Sequence, residues 1–134
     1  MYLTKITVRD SMIEGKGVFS LEDITKNSIV WKFDPSHDES MSTAELDRLD
    51  EDAKTALLRV AYFSLKTNRY VYPPEDDPAR FTNHSESNNL SVVFDESESE
   101  EPFFVANRDI KEGEELTVNY TEFDARPSKV LEWK

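Results

Sequence analysis

Short runs of period-two hydrophobicity occupy both ends of this chain, and a single stretch of three-and-four spacing fills its middle. Alternation sends successive side chains to opposite faces of a strand, whereas three-and-four spacing gathers them on one face of a helix. Tyr2 to Val8 therefore reads as a first strand, Gly17-Val18-Phe19-Ser20 as a second, and Ser28 to Phe33 as a third, stopped by Asp34-Pro35-Ser36. Ser42 and Glu45 stand at capping-box spacing, which predicts a helix start there. Ala53, Leu57, Leu58, Ala61, Tyr62 and Leu65 continue the helical period and predict a second helix over 51–65. Arg69 to Tyr72 reads as a strand ended by Pro73-Pro74. Asn89 to Phe94 and Pro102 to Asn107 predict a hairpin around the acidic loop Asp95 to Glu101, and Leu116 to Tyr120 predicts a last strand. Pro127 is expected to open a short terminal helix holding Val130, Leu131 and Trp133. The expected class is mainly β with short helices (α+β), one domain over 1–134 with a helical insert at 42–66 and a short C-terminal segment 121–134.

Bulk properties set limits on partners. The chain has 134 residues, the size of one domain, and its eight Phe and five Tyr supply a packed interior. With no cysteine there is no disulfide and no Cys-based zinc site, and with only His37 and His84 as imidazoles no metal is expected. No apolar run approaches the ~18 residues needed to span a bilayer, and the N-terminus lacks the apolar core of a signal peptide, so no membrane role and an intracellular location are expected. Acidic residues outnumber basic ones 28 to 16, a formal net charge of −12. Such a surface repels phosphate backbones, which argues against direct nucleic-acid binding and favours cationic partners, although solubility alone accounts for it equally well.

Three short segments carry chemistry, and each has a plainer explanation beside it. Gly15-Lys16-Gly17 leaves backbone amides uncovered between two strands, yet any hairpin turn does the same. Asn83-His84-Ser85, reached through Arg80-Phe81, sets small hydrogen-bonding groups in a row, which either close a turn on themselves or grip a polar ligand. Tyr120 ends an apolar strand, where a tyrosine ordinarily packs.

In this order and at these spacings, Gly15-Lys16-Gly17, Arg80 to Asn89 and Gly113 to Tyr120 resemble the signature of the SET-domain protein lysine methyltransferases. The resemblance implies a fold of small, mostly antiparallel sheets with a C-terminal pseudoknot that sets 83–89 against 115–120. It implies S-adenosyl-L-methionine as cofactor, with Lys16 and Gly17 contacting its methionine portion, Asn83 and His84 its amine and adenine ends, and Arg80, Phe81 and Tyr120 beside them. Tyr120 becomes the catalytic tyrosine at a narrow lysine channel. Tyr70 and Tyr72 are preferred over Tyr62 for a further channel tyrosine, with Phe123, or Trp133, closing the channel. The substrate implied is a basic protein or peptide, histone-like or other, for which the acidic loops at 75–77 and 95–101 would flank a groove or would simply be solvated. Departures are present: Glu86 stands in place of a common cysteine, no cysteine-rich segment follows Tyr120, Asn88 replaces a proline and Asn119 an aspartate, and the Tyr-x-Gly element is missing. A non-catalytic interaction module on the same fold is the alternative.

Overall fold

The computed structural model describes residues 1–124, and the helix expected from Pro127 to Trp133 lies outside the described residues. In chain order the elements are β1 (Ile6–Asp10), β2 (Lys16–Ser20), β3 (Ile29–Trp31), β4 (Glu39–Met41), α1 (Thr43–Asp47), α2 (Glu51–Val60), β5 (Tyr62–Ser64), β6 (Arg69–Tyr72), β7 (Asn83–His84), β8 (Leu90–Val93), β9 (Phe103–Ala106) and β10 (Glu115–Val118). A 3-10 turn at Pro78–Phe81 precedes β7, and another at Tyr120–Glu122 follows β10. No helix among these is long and apolar enough to cross a membrane.

Three small sheets result, as expected for the mainly β class with short helices. The first runs β1-β2-β10-β7, the second β3-β9-β8 and the third β4-β6-β5. The hairpin of β1 and β2 turns through Gly15 at φ +46, a left-handed conformation for which glycine carries no steric cost. Strand β10 enters between β2 and β7, antiparallel to the first and parallel to the second. This insertion brings the late strand against the Asn83-His84 segment, and among the described residues it is the one parallel strand pair.

Two apolar clusters hold these layers. The larger joins the first two sheets through Val18, Val30, Trp31, Leu90, Leu116 and Val118. The smaller packs Leu46, Leu57 and Ala61 from the helices under Met41, Tyr70 and Tyr72 of the third sheet. Ser42 caps α1 by accepting from the Glu45 amide at 3.1 Å while the Glu45 carboxylate accepts from the Ser42 amide at 3.2 Å, the expected reciprocal box.

Differences from expectation have local causes. The second helix stops at Val60 rather than continuing to 65, and Tyr62 to Ser64 form β5 against β6. Aromatic residues favour a pleated surface with cross-strand partners, and Phe63 finds Tyr70 edge-on at 5.0 Å, a tertiary contact that outweighs the apolar spacing. The 42–66 insert is therefore helical only in part. Strand β4 was not anticipated because Glu39-Ser40-Met41 carries no alternation; pairing with β6 creates it. The first strand starts at Ile6, and Tyr2 contributes only a single bridge to Trp31. The last strand ends at Val118, where the Asn119 side chain accepts from the Thr121 amide at 3.0 Å and turns the backbone.

Candidate functional site

Register decides what Tyr120 meets. Thr117 pairs with Asn83 and Val118 with His84, so two residues further on the Tyr120 amide donates to His84 Nδ1 at 3.1 Å and the two rings lie 6.2 Å apart. Accepting at Nδ1 requires the tautomer with its proton on Nε2, and burial holds the imidazole below its usual pKa, so it is neutral near pH 7.

Asn83 sits at the meeting point of three segments. Its buried amide nitrogen donates to the carbonyls of Glu14 at 3.2 Å and Lys16 at 3.0 Å and to Glu115 Oε2 at 2.8 Å. Ser11 adds its hydroxyl to Glu115 Oε1 at 2.7 Å. The Glu115 carboxylate lies so close over Gly17 that a β-carbon there would collide with it. The approaching group is the far end of a flexible side chain of the same protein, so a β-carbon at position 17 would displace the Glu115 carboxylate rather than strain the backbone. Two carbonyls, an amide and a carboxylate make an acceptor-rich corner suited to an ammonium group such as the one S-adenosylmethionine carries, so the residues present fit that cofactor.

The other expected cofactor residues are positioned less directly. Lys16 sends Nζ to Asp10 at 2.6 Å on the surface and offers only its carbonyl to Asn83. Arg80 donates Nε to the carbonyls of Pro73 and Pro74 at 3.1 and 2.9 Å, tying the 3-10 turn to the end of β6, while the Phe81 ring is exposed. Asn89 was not singled out as a site residue. It is buried, donates to the Glu115 carbonyl at 2.8 Å and accepts from the Thr117 amide at 2.9 Å, so it fastens the 83–89 segment along β10. The Asn88-Asn89 pair was its only trace in the sequence.

Beside Tyr120 lies a small cavity of about 40 Å³ walled by Trp31, Tyr62, Tyr72, Phe104, Phe123 and Tyr120. Phe123 sets its ring tilted 5.2 Å from Tyr120 and edge-on 5.3 Å from Tyr62. Tyr62 and Phe123 also line an open cleft of about 640 Å³, so the two spaces share these walls. Of the tyrosines preferred for the channel, Tyr72 reaches the cavity, but Tyr70 packs on Phe63 and the helical cluster instead, and Tyr62 takes the place beside Phe123. In the sequence Tyr62 ranks below Tyr70 and Tyr72, because it shares a helical spacing with Leu58 and Leu65 and stands further from the Asn83-His84 segment.

The cleft is acidic. Asp95, Glu96, Glu100, Glu101, Glu122 and Asp124 line it, with Lys66 paired to Glu96 at 3.4 Å. The loop at 95–101 is thus part of the cleft; the loop at 75–77 is not, and its Asp77 is buried, capping the 3-10 turn through the Ala79 amide at 2.8 Å. Asp77, Asp38 and His37 form the one group of chelating side chains among the described residues, with ligand atoms within 4.8 Å of one another. Its imidazole is engaged in a 2.6 Å contact with Asp77.

Comparison with known proteins agrees with this geometry. A family model for the SET domain matches residues 15–121. A candidate histone methyltransferase from Plasmodium falciparum has a solved structure similar to this one, with a TM-score of 0.60, 22% sequence identity, and coverage of 87% of this chain and 93% of that chain. No curated protein matches the chain. Because the matched span contains the glycine turn, the Asn83-His84 strand and Tyr120, the chain belongs to the SET-domain family.

Proposed function

We propose that this protein transfers a methyl group from S-adenosylmethionine to a lysine side chain of a basic protein segment. The observation that carries the reading is a pair of neighbouring spaces sharing Tyr62 and Phe123 as walls: a cavity lined by Tyr62, Tyr72, Tyr120 and Phe123, and beside it a cleft lined by carboxylates. When bound, the cofactor supplies an electrophilic methyl on a sulfonium. The protein then has to align an amine with that methyl and keep water out, a task of positioning more than of acid–base chemistry.

Each residue has a part in that task. Asn83, Glu115 and the carbonyls of Glu14 and Lys16 hold the cofactor's ammonium, and His84 offers its Nε2 proton as a donor. Lysine titrates near 10.4 in water; the aromatic walls favour the neutral amine because burial penalises charge, while the Asp38 carboxylate on the same wall acts in the opposite direction. Tyr120 orients that amine. The acidic cleft holds the positively charged residues around the target lysine.

Tyr120→Phe tests the assignment. Loss of the hydroxyl is expected to lower methyl transfer from labelled cofactor to a basic peptide by about 100-fold or more, the scale of a lost transition-state contact, with cofactor affinity by calorimetry within about twofold. Undiminished transfer would remove Tyr120 from its role. Cofactor and peptide binding by the native protein without any transfer would instead favour a non-catalytic interaction module.

A further inference from the structure

Asp38 is the one charged residue among the described walls of the cavity beside Tyr120; the other polar side chains there are the hydroxyls of Thr82 and three tyrosines. Its side chain is 1% exposed. The turn that begins at Asp34 fixes it from two sides: the Asp38 amide donates to the Asp34 carbonyl at 2.7 Å, and the Asp34 amide donates to Asp38 Oδ2 at 2.8 Å. The N-terminal ammonium stands 3.4 Å from the same Oδ2. Oδ1 is also buried, yet it accepts no hydrogen bond among the described residues. His37, next to it in the chain, turns its Nε2 to Asp77 at 2.6 Å instead.

A carboxylate oxygen buried without a donor is destabilising, and a site that keeps one is prepared for a donor from outside. The cavity is the space such a donor would enter. Its volume of about 40 Å³ takes one small group, such as the end of a single side chain. The Asp38 charge is felt there: burial, then Glu101, then Asp38 raise the pKa of the Tyr62 phenol on the same wall. The aromatic rings of the wall add attraction for a cation. A cation that carries N–H donors and is narrow enough for this space is an alkylammonium.

We infer that Asp38 Oδ1 accepts a hydrogen bond from the ammonium of the target lysine, so that Asp38 binds the substrate and selects a positively charged side chain for the cavity. This rests on the proposed lysine methyl transfer and adds how the lysine is admitted: it enters charged and is held against the carboxylate before it reacts. The amine that attacks forms from this ammonium by loss of one proton, and the Asp38 charge opposes that loss. Asp38 therefore contributes to substrate affinity and not to the rate of the bound complex.

The test uses the full chain and two short Arg-flanked peptides that differ only at the central residue, lysine in one and its uncharged isostere norleucine in the other. The arginines contribute equally to both, so the ratio of the two affinities reports on the cavity. Calorimetry without cofactor is carried out on the native protein, Asp38→Asn and Asp38→Ala, with thermal unfolding and cofactor affinity as controls. Asparagine keeps an oxygen for the Asp34 amide; alanine removes the charge should the first variant fail to fold. The native protein is expected to bind the lysine peptide about tenfold more tightly than the norleucine peptide, the scale of a hydrogen bond to a charged group. Either variant should lose most of that ratio while binding the norleucine peptide as before. In methyl transfer the variants should raise KM for the lysine peptide by a similar factor, with kcat no lower. A ratio near one in the native protein, a ratio that survives in a folded variant, or a kcat that falls with affinity would overturn the inference. If the native protein binds both peptides and methylates neither, the methyl-transfer reading fails while the affinity ratio still decides the role of Asp38.

Discussion

His37 and His84, the two histidines of the chain, occupy opposite environments. Burial lowers the pKa of His84, and the hydrogen bond to Asp77 raises that of His37. For His84 the unfolded chain binds the extra proton, so its contribution to stability is present above the unfolded value of ~6.5 and is lost as pH falls through the folded value. For His37 the sign reverses: the charged pair contributes fully below ~6.5, and the contribution is lost as pH rises through the raised value. Two imidazole signals in a proton NMR titration should therefore have midpoints on either side of 6.5, His84 below and His37 above, and Asp77→Asn should return the His37 midpoint toward 6.5. A His84 midpoint above 6.5 would contradict its buried, acceptor-only Nδ1. At this scale Asn83, His84 and Tyr120 were readable as an ordered set of residue types. Glu115 was not, because nothing in one dimension says which carboxylate will lie over Gly17. Nor was the place of Tyr62 beside Phe123, since its spacing suits a helix as well as a strand and ranked it below Tyr70 and Tyr72.

The elements divide by how local their causes are. Both helix starts were written in the sequence: Ser42 with Glu45 for α1, and for α2 an Asp50 whose Oδ1 accepts from the Ala53 amide at 2.8 Å, with Glu51 and Asp52 in the first turn. The β8–β9 hairpin was equally legible from two apolar runs around charged residues. The parallel pairing of β10 with β7 and the conversion of 62–64 into an edge strand depend on contacts distant in sequence, which local patterns do not encode. The cap permits a clean test of a local cause. Asp50→Ala should cost about 1 kcal/mol in denaturant unfolding, the usual worth of a lost cap. Cofactor affinity should be unchanged, since α2 buries Leu57 in the helical cluster and reaches the Asn83 corner through an exposed Arg59–Glu14 pair at 3.6 Å, at the end of α2 remote from the cap. A loss of cofactor affinity without loss of stability would place α2 in the binding machinery and contradict that separation.

Charge acts at the scale of the whole molecule. A net charge of −12 sets a long-range attraction for cations, and the acidic cleft concentrates it beside Tyr62 and Phe123. Screening shortens the reach of exposed charges from roughly 14 Å at 50 mM salt to roughly 4 Å at 500 mM. Carboxylates at the cleft rim, such as Glu96 and Glu100, act through water and should lose most of their pull over that range, whereas the cavity walls proposed to align the amine, mostly aromatic with the buried Asp38 carboxylate among them, are reached little by salt and should not. Raising salt across these concentrations is therefore expected to increase KM for an Arg-flanked peptide severalfold while kcat stays nearly constant. The same peptide with neutral flanks should start from a higher KM and respond weakly, and Glu96→Gln combined with Glu100→Gln should reduce the salt response of the charged one. A KM for the charged peptide that does not move with salt would mean that its flanks never enter the cleft, leaving the acidity of this surface to solubility alone.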